Sequence, residues 1–214
     1  MTTDAKSRLV GVVLAGGLSR RMGGGDKGLA AMGAATMLDE VLRRIVPQVG
    51  RVVLNANGDR ARFARFGCDV VPDTVDGFVG PLAGILAGMR WASVNVPSAS
   101  HVLSVSSDAP FLPADLARRF VEALEREPGR IAMAASGGEL HPVIGLWPVD
   151  LADDLEGALR EGVRKVLAWT DRHGTVAVPF AMMSAGLETF DPFFNANTPE
   201  ELDEARRILA LGAA

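Results

Sequence analysis

The chain has 214 residues, of which 48% are hydrophobic and 22% are charged. This length and composition suit one large α/β domain with a sizeable core. The formal net charge of -4 provides no general basic field. That argues against non-specific binding to nucleic acid, although a local cluster of donors could still bind a small anion.

The expected location is the cytoplasm. The only cysteine, Cys68, cannot form a disulfide within the chain, as is usual in a reducing compartment. The first six residues are polar and lack the apolar core of a signal peptide. No apolar run approaches the roughly 20 residues needed to cross a bilayer, so no membrane association is expected.

The first half of the chain alternates apolar, β-rich runs with segments of helical periodicity. Residues 9–14 (LVGVVL) are nearly all apolar, as in a strand buried on both faces. A helix is predicted over residues 37–46, and the second strand over residues 51–54. A third strand is predicted to end at residues 70–71, and a fourth covers residues 102–105. Further helices are predicted over residues 81–91 and 116–124. This alternation predicts an α/β fold with a mostly parallel sheet, a Rossmann-like three-layer α/β/α sandwich. In such folds, ligands bind beyond the carboxyl ends of the strands.

The second half is less regular. Residues 131–135 and 143–147 are predicted strands on either side of a Gly-Gly turn. Thr198 begins a final helix, with Pro199 at the first helical position and Glu201 completing a capping box. No Ser/Gly-rich linker divides the chain, so a single domain over residues 1–214 is predicted.

A glycine-rich segment directly follows the first predicted strand. Residues 14–28 read LAGGLSRRMGGGDKG. Its glycines let backbone N–H groups approach an anion closely, and Arg20, Arg21 and Lys27 add positive charge that suits a polyphosphate. The segment matches neither the P-loop pattern nor G-x-G-x-x-G. A merely flexible surface loop is the alternative, but loops after the first strand of such sheets often bind ligands.

This segment resembles the signature of the molybdenum cofactor guanylyltransferases, within the wider group of nucleotidyltransferases. Six further blocks occur in the order typical of that family: Asn55-Ala56-Asn57, Pro72-Asp73, Gly80-Pro81-Leu82-Ala83-Gly84, Asp108-Ala109-Pro110-Phe111, His141-Pro142 and Asn195-Ala196-Asn197-Thr198-Pro199. The blocks span nearly the whole chain, so they are stronger evidence for the resemblance than one glycine-rich loop would be. The resemblance implies a fold of the nucleotide-diphospho-sugar transferase type. It also implies a nucleotide-binding part at about 8–112 and a molybdopterin-binding part at about 113–200.

The resemblance also implies roles for individual residues. Catalysis would depend on Lys27, Asp108 and Arg21, and Asp108 would also bind Mg²⁺. The second substrate would be bound near His141, the pair Arg164-Lys165, and Asn195 and Asn197. Residues that would bind the guanine nucleotide are Leu14, Ala15, Gly16, Gly17, Lys27, Asn55, Asp73, Gly80 and Asp108.

Position in the predicted sheet supports several of these roles and leaves alternatives open. Asp108 lies just past a predicted central strand, and its carboxylate is the hard oxygen ligand that Mg²⁺ requires. It could instead cap the following helix, although Pro113 and Asp115 lie closer to that helix start. Asn55 and Asp73 also follow strands, where either could simply form a turn.

The implied reaction is attack by a phosphate oxygen of molybdopterin on the α-phosphorus of GTP, with pyrophosphate leaving. The nucleophile is already ionised at neutral pH, so catalysis would consist of positioning and charge neutralisation. GTP and molybdopterin are the expected small-molecule partners. Molybdoenzymes or cofactor-delivery proteins are the candidate protein partners.

Three other functions compete with this one. The first is a molybdopterin cytidylyltransferase. It is disfavoured because relatives that use CTP typically read Leu-Ala-Ala-Gly where this chain has Leu14-Ala15-Gly16-Gly17. A sugar-1-phosphate transferase is disfavoured by the Asn-Ala-Asn-Thr-Pro block. A non-enzymatic pterin- or nucleotide-binding adaptor is disfavoured because Lys27 and Asp108 are both present.

Overall fold

A computed structural model describes residues 2–16, 26–75 and 80–212 of the chain. Its strands are β1 Leu9–Leu14, β2 Ala31–Met32, β3 Ala35–Thr36, β4 Arg51–Asn55, β5 Asp69–Val71, β6 His101–Ser106, β7 Ile131–Ser136, β8 Glu139–Pro148, β9 Thr175–Pro179, β10 Met183–Ala185 and β11 Glu188–Phe190. Its α-helices are α1 Thr3–Ser7, α2 Met37–Ile45, α3 Pro81–Asn95, α4 Leu116–Arg126, α5 Ala152–Arg160, α6 Val166–Thr170 and α7 Pro199–Ala210. Short 3₁₀ helices cover Lys27–Leu29, Val46–Gln48, Arg60–Phe66 and Val149–Leu151.

Seven strands form one sheet in the order β5-β4-β1-β6-β8-β7-β9. The four strands β5, β4, β1 and β6 pair with one another in parallel. Strand β8 is antiparallel to both β6 and β7, and β9 is parallel to β7. Two further ribbons pair β2 with β3 and β10 with β11. The sheet is therefore mostly parallel, and the predicted fold class is confirmed.

Strand β1 is buried because helices cover both faces of the sheet. Leu9 and Val13 pack in one core cluster with residues of α2 and α4, whereas Val10 and Val12 pack in another with residues of α3, α5 and α6. Alternate side chains of a strand point to opposite faces. The two clusters therefore lie on opposite sides of the sheet and form the outer layers of an α/β/α sandwich.

Helix α7 packs on a third cluster that joins the C-terminal part of the chain to the residues that follow β6. Phe111, five residues beyond β6, lies in this cluster with Ala196 and Leu202. The Phe111 and Phe190 rings meet edge to face with centroids 4.9 Å apart. The predicted capping box of α7 is present, with Thr198 and Glu201 bonded reciprocally. This packing places the segment before α7 beside the residues that follow β6.

The elements predicted from the first half of the sequence are all found, and α3 continues to Asn95. The Gly137-Gly138 turn has positive φ at both glycines and joins β7 to β8 in an antiparallel hairpin, as predicted. Elements that were not predicted include α5, α6, β9 and the β10–β11 hairpin. Across the described ranges, no helix has both the length and the apolar character that a membrane crossing demands.

Candidate nucleotidyl-transfer site

The four parallel strands end in register, which brings sequence-distant blocks to one edge of the sheet. Leu14 pairs with both Asn55 and Ser106, and Asn55 pairs with Val71. Each strand therefore delivers the next residues to the same carboxyl edge. These residues are Ala15-Gly16, Ala56-Asn57, Pro72-Asp73 and Ser107-Asp108. This is the edge at which open α/β sheets bind ligands.

Lys27, Asp108 and Asn197 meet at this edge. The Lys27 Nζ lies 3.5 Å from Oδ2 of Asp108 and donates a hydrogen bond of 2.6 Å to Oδ1 of Asn197. The backbone N–H of Ala196 donates to the carbonyl oxygen of Asp108 at 3.1 Å. The side chains of Lys27 and Asp108 are 21% and 13% exposed, so both reach solvent. Three predicted site residues, drawn from the glycine-rich segment, the end of β6 and the terminal block, thus form one cluster.

The surroundings of Asp108 distinguish between its two predicted roles. Helix α4 begins at Leu116 with Asp115 at its N-cap position, so the helix-cap alternative for Asp108 is wrong. The carboxylate instead accepts a short hydrogen bond from the Ser106 hydroxyl, which fixes one of its oxygens. Its other oxygen faces Lys27.

A second polar group lies at the ends of β4 and β5. The Asn55 side chain, only 5% exposed, donates to Oδ1 of Asp73 at 3.0 Å. The side-chain amide of Asn57 donates from Nδ2 to Oδ2 of Asp73 at 2.8 Å, and its Oδ1 accepts from the backbone N–H of Asp73 at 2.9 Å. Both carboxylate oxygens are therefore held. Asn55 and Asp73, both predicted to bind the nucleotide, form a fixed polar wall.

Helix α3 reaches the same edge because two glycines let it pack closely on the sheet. A Cβ atom at Gly84 would overlap Oδ1 of Asn55 and lie 2.7 Å from Cδ2 of Leu14, and one at Gly88 would lie 2.8 Å from Cγ1 of Val12. Gly80 is the N-cap residue of α3 and has no side chain to cap the helix. Helix N-termini favour anions, so this packing directs a positive dipole end toward the site.

Replacing Gly84 by alanine is expected to lower the free energy of unfolding by about 1–3 kcal/mol, because the new methyl group has no room against Asn55. The affinity for nucleotide should fall as well, since Asn55 must move. Gly157 is the control: it is exposed in α5, and a Cβ there meets nothing within 4 Å. Gly157→Ala should stabilise by up to about 1 kcal/mol. Denaturant unfolding measures both values, and a Gly84→Ala protein as stable as the parent would contradict this account.

His141, in strand β8, takes part in a chain of hydrogen bonds between side chains. Its Nε2 is 2.6 Å from the Ser136 hydroxyl, which donates to Oδ2 of Asp191 at 2.7 Å. Burial lowers the pKa of His141, and the nearby Asp191 carboxylate opposes that shift. Burial therefore favours the neutral form of the imidazole. Asp191 in turn accepts from the N–H of Phe193 at 2.7 Å, so the chain reaches the segment that carries Asn195 and Asn197.

The other predicted residues are distributed as follows. Leu14 ends β1, and Ala15 and Gly16 follow it. Arg164 donates to the carbonyl oxygens of Leu159 and Val163 at 3.1 Å, in the turn between α5 and α6, and Lys165 is the N-cap residue of α6. The predictions for Gly17, Arg20 and Arg21 lie outside the described residues.

Several residues at the edge were not singled out from the sequence. Ser106 was missed, although its position two residues before Asp108 could have suggested it. Gly28 was quoted only as part of the segment, yet a Cβ there would lie 2.9 Å from that of Ser107. Asp26 pairs with Arg62, with 2.5 Å between Nε and Oδ2. No sequence pattern indicates that pair.

The residues at this edge offer few protein ligands for a metal ion. Within the described part of the chain, no three His, Cys, Asp or Glu side chains are grouped so as to hold one. Mg²⁺ is commonly bound by only one or two carboxylates, with water and substrate phosphates completing its shell. The Asp108 carboxylate, fixed by Ser106 and open to solvent, fits that requirement.

Comparison with known proteins agrees with this geometry. The family model described as the MobA-like NTP transferase domain matches residues 11–176. A molybdenum cofactor guanylyltransferase from Bradyrhizobium sp. is 50% identical over 212 residues, covering 99% of this chain and 98% of the relative.

Two solved structures share the fold. The molybdopterin-guanine dinucleotide biosynthesis protein A from Archaeoglobus fulgidus has a TM-score of 0.73 at 23% identity, over 94% of this chain and 98% of its own. A Mycobacterium tuberculosis protein solved as a complex with manganese has a TM-score of 0.62 at 18% identity, over 94% and 98% of the two chains. From the family match and the nearly full-length relative at 50% identity, we conclude that this chain is an enzyme of the molybdenum cofactor guanylyltransferase family, a nucleotidyltransferase.

Proposed function

We propose that this enzyme transfers GMP from GTP to the phosphate of molybdopterin and releases pyrophosphate, at the carboxyl edge of β1, β4, β5 and β6. The observation that carries the proposal is the cluster of Lys27, Asp108 and Asn197. It joins the segment expected to bind the nucleotide phosphates to the segment expected to bind the pterin. The shared identity with named guanylyltransferases supports the same substrates.

The transfer forms one bond and breaks one bond. A phosphate oxygen of molybdopterin attacks the α-phosphorus of GTP, and the bond from that phosphorus to the oxygen bridging the α- and β-phosphates breaks. Pyrophosphate carries away the electron pair. Because the attacking phosphate is already ionised, no general base is required, and the difficulty is the approach of one anion to another.

The chain supplies charge and orientation for this step. Lys27 would place its ammonium group against the nucleotide phosphates, and Arg20 and Arg21 would add charge from the glycine-rich segment. Asp108, oriented by Ser106, would hold Mg²⁺. That ion, when bound, neutralises phosphate charge. The manganese complex of the Mycobacterium tuberculosis structure supports a divalent metal in this fold, and the choice of Mg²⁺ is part of the proposal.

The Ser136, His141 and Asp191 group does not support a rival acyl-transfer activity. In a nucleophilic triad the imidazole lies between the hydroxyl and the carboxylate, so that it can accept the hydroxyl proton. Here the Ser136 hydroxyl lies between the other two and donates to Asp191. We therefore propose that this group supports the pterin-binding part, residues 113–200, in which Asn195 and Asn197 would contact the second substrate.

The proposed choice of guanine depends on the Leu14-Ala15-Gly16-Gly17 sequence. A Cβ at Gly16 would approach the nearest described atoms only at 3.9 Å, an ordinary contact. Protein packing alone therefore does not demand a glycine there. A bound nucleotide that approaches the backbone would account for it.

Initial rates of pyrophosphate release with GTP, CTP and ATP test this choice, under one set of conditions with saturating molybdopterin and Mg²⁺. We expect kcat/KM for GTP to exceed that for CTP and ATP by about 10²-fold or more, as is usual when buried polar groups read a base. Comparable turnover with CTP would replace the assignment by a cytidylyltransferase.

The partners and the location that we propose are those expected from the sequence. GTP and molybdopterin are the proposed substrates, and a molybdoenzyme or a cofactor-delivery protein is the proposed recipient of the product. The single cysteine supports a cytoplasmic location.

A further inference from the structure

We infer that Arg62 is a positioning residue for the nucleotide site. It fixes the end of the glycine-rich segment that carries Lys27 and joins it to the loop after β4. This inference rests on the proposed nucleotide function and adds a residue that does not itself touch the substrate.

The Arg62 guanidinium joins three parts of the chain. Its Nε lies 2.5 Å from Oδ2 of Asp26 in an ion pair, and its Nη2 donates a longer hydrogen bond of 3.4 Å to Oδ1 of the same carboxylate. Its Nη2 donates to the carbonyl oxygen of Asn57 at 2.6 Å, and its Nη1 donates to that of Asp59 at 2.5 Å. The group also stacks over the Phe63 ring, 4.7 Å from the centroid. A planar guanidinium can make these contacts together, whereas a lysine ammonium cannot.

The loop after β4 is shaped around this guanidinium. Gly58, between the two accepting carbonyls, has a φ of +81°, a conformation that other residues rarely adopt. A Cβ at Gly58 would also lie 3.3 Å from Nη1 of Arg62. Backbone and side chain are therefore fitted to each other.

On one side, Arg62 controls the position of Lys27. Asp26 is the N-cap residue of the 3₁₀ helix Lys27–Leu29, and its carbonyl oxygen accepts from the Leu29 N–H at 3.0 Å. Asp26 and Lys27 thus belong to one hydrogen-bonded turn. Fixing the Asp26 carboxylate fixes the direction from which Lys27 approaches Asp108 and Asn197.

On the other side, Arg62 holds the residue that orients Asp73. Arg62 donates a hydrogen bond to the backbone carbonyl oxygen of Asn57. The side chain of Asn57 in turn makes two hydrogen bonds with Asp73, one as donor and one as acceptor. Asp73 also accepts from Asn55. The contacts form a continuous path from the proposed phosphate-binding lysine to the polar wall formed by Asn55 and Asp73.

The expected effect of losing Arg62 falls on nucleotide binding. Without the clamp, the turn at Lys27 occupies its binding-competent position only part of the time, and apparent affinity falls by that fraction. Once GTP is bound the turn is ordered again, so the rate of the bound complex should change little. The expected signature is a raised KM for GTP at nearly constant kcat.

Arg65 provides a matched control on the same 3₁₀ helix. It too pairs with one aspartate, Asp39, at 2.7 Å, and stacks on the next residue, Phe66, at 4.1 Å from the centroid. Its contacts are with Thr36 and Asp39 at the start of α2. Arg62→Met and Arg65→Met each remove an ion pair, a stacking contact and side-chain hydrogen bonds, but only Arg62 connects to the site.

The experiment measures melting temperature, the Kd of GTP, and kcat and KM for the wild type and both variants. We expect similar small drops in melting temperature for the two variants. For Arg62→Met alone we expect a rise of about 10-fold in Kd and KM for GTP. Arg62→Lys, which keeps the charge without the planar fork, should fall between the wild type and Arg62→Met. In the Asp26→Asn background, Arg62→Met should have a much smaller effect on KM, because the two residues act through one contact.

If the wild type turns over GTP but the KM of Arg62→Met matches that of Arg65→Met, the positioning role is overturned and the proposed function stands. A fall in kcat as large as the fall in kcat/KM would also overturn it. A wild type that neither binds nor turns over GTP would overturn the proposed function and this role together.

Discussion

Asp108→Asn is expected to lower guanylyl transfer by about 10²- to 10³-fold at limiting Mg²⁺, with the fold intact. The amide retains the shape of the carboxylate and can still accept from the Ser106 hydroxyl. It loses the negative charge that a hard dication prefers in a ligand. Metal affinity should therefore fall, and with it the neutralisation that lets two phosphates meet. The rate should recover in part as the Mg²⁺ concentration is raised.

Asp115→Asn is the matched control for this substitution. Asp115 occupies the N-cap position of α4 seven residues further on and pairs with Arg118 at 2.9 Å. Its side chain makes no capping hydrogen bond and its ion pair is exposed, so both activity and melting temperature should stay close to wild type. Transfer by Asp108→Asn that matches the Asp115→Asn control at low Mg²⁺ would remove Asp108 from the metal site.

Lys27→Ala is expected to lower kcat/KM by about 10²-fold or more, the usual effect of losing one electrostatic stabiliser of the transition state. Lys27 is the cation that pairs with Asp108 in the cluster, and its side chain is 21% exposed, so a bound phosphate can reach it. Stability should change little, because the ion pair with Asp108 is partly solvated. Steady-state rates over a range of GTP concentrations, with melting curves, measure both effects.

Lys6→Ala serves as the control for Lys27→Ala, because Lys6 lies in the last turn of α1, a helix with no buried residues. That substitution should leave both rate and stability unchanged. Added salt should weaken GTP binding by the Lys6→Ala protein and by the wild type equally, and by Lys27→Ala less steeply. An unchanged kcat/KM for Lys27→Ala would contradict a role on the phosphates.

The sequence predicts the nucleotide half of the molecule well for a physical reason. Strands buried between two helical layers are almost entirely apolar, so Leu9–Leu14 is conspicuous in the sequence. The alternation with helices implies parallel pairing. Parallel pairing in turn places Asn55, Asp73 and Asp108 at one edge before any coordinates are known.

The C-terminal half is predicted less completely because its elements are short. Helix α6 has five residues, too few for a helical period to be recognised. Strand β9 has five residues, TVAVP, which do not alternate between polar and apolar side chains. The cluster that packs α7 against Phe111 depends on contacts between segments about 90 residues apart. No local pattern encodes such contacts.

The site itself shows the same division. Sequence blocks assign Lys27 to the nucleotide and Asn197 to the second substrate, but only the folded chain shows the two in contact at 2.6 Å. Arg62 and Arg65 occupy similar local sequences, each followed by phenylalanine. Their different partners, Asp26 and Asp39, are set by the path of the chain.

The most direct test of the proposed reaction follows the α-phosphate of GTP. GTP labelled at the α-phosphorus is incubated with the enzyme and Mg²⁺, with and without molybdopterin, and the label and pyrophosphate are both quantified. We predict that the label appears in a pterin-containing product, in equal amount to the pyrophosphate released, and only when molybdopterin is present. Label that is released as free GMP or GDP, or that remains in GTP while molybdopterin is present, would contradict guanylyl transfer at this site.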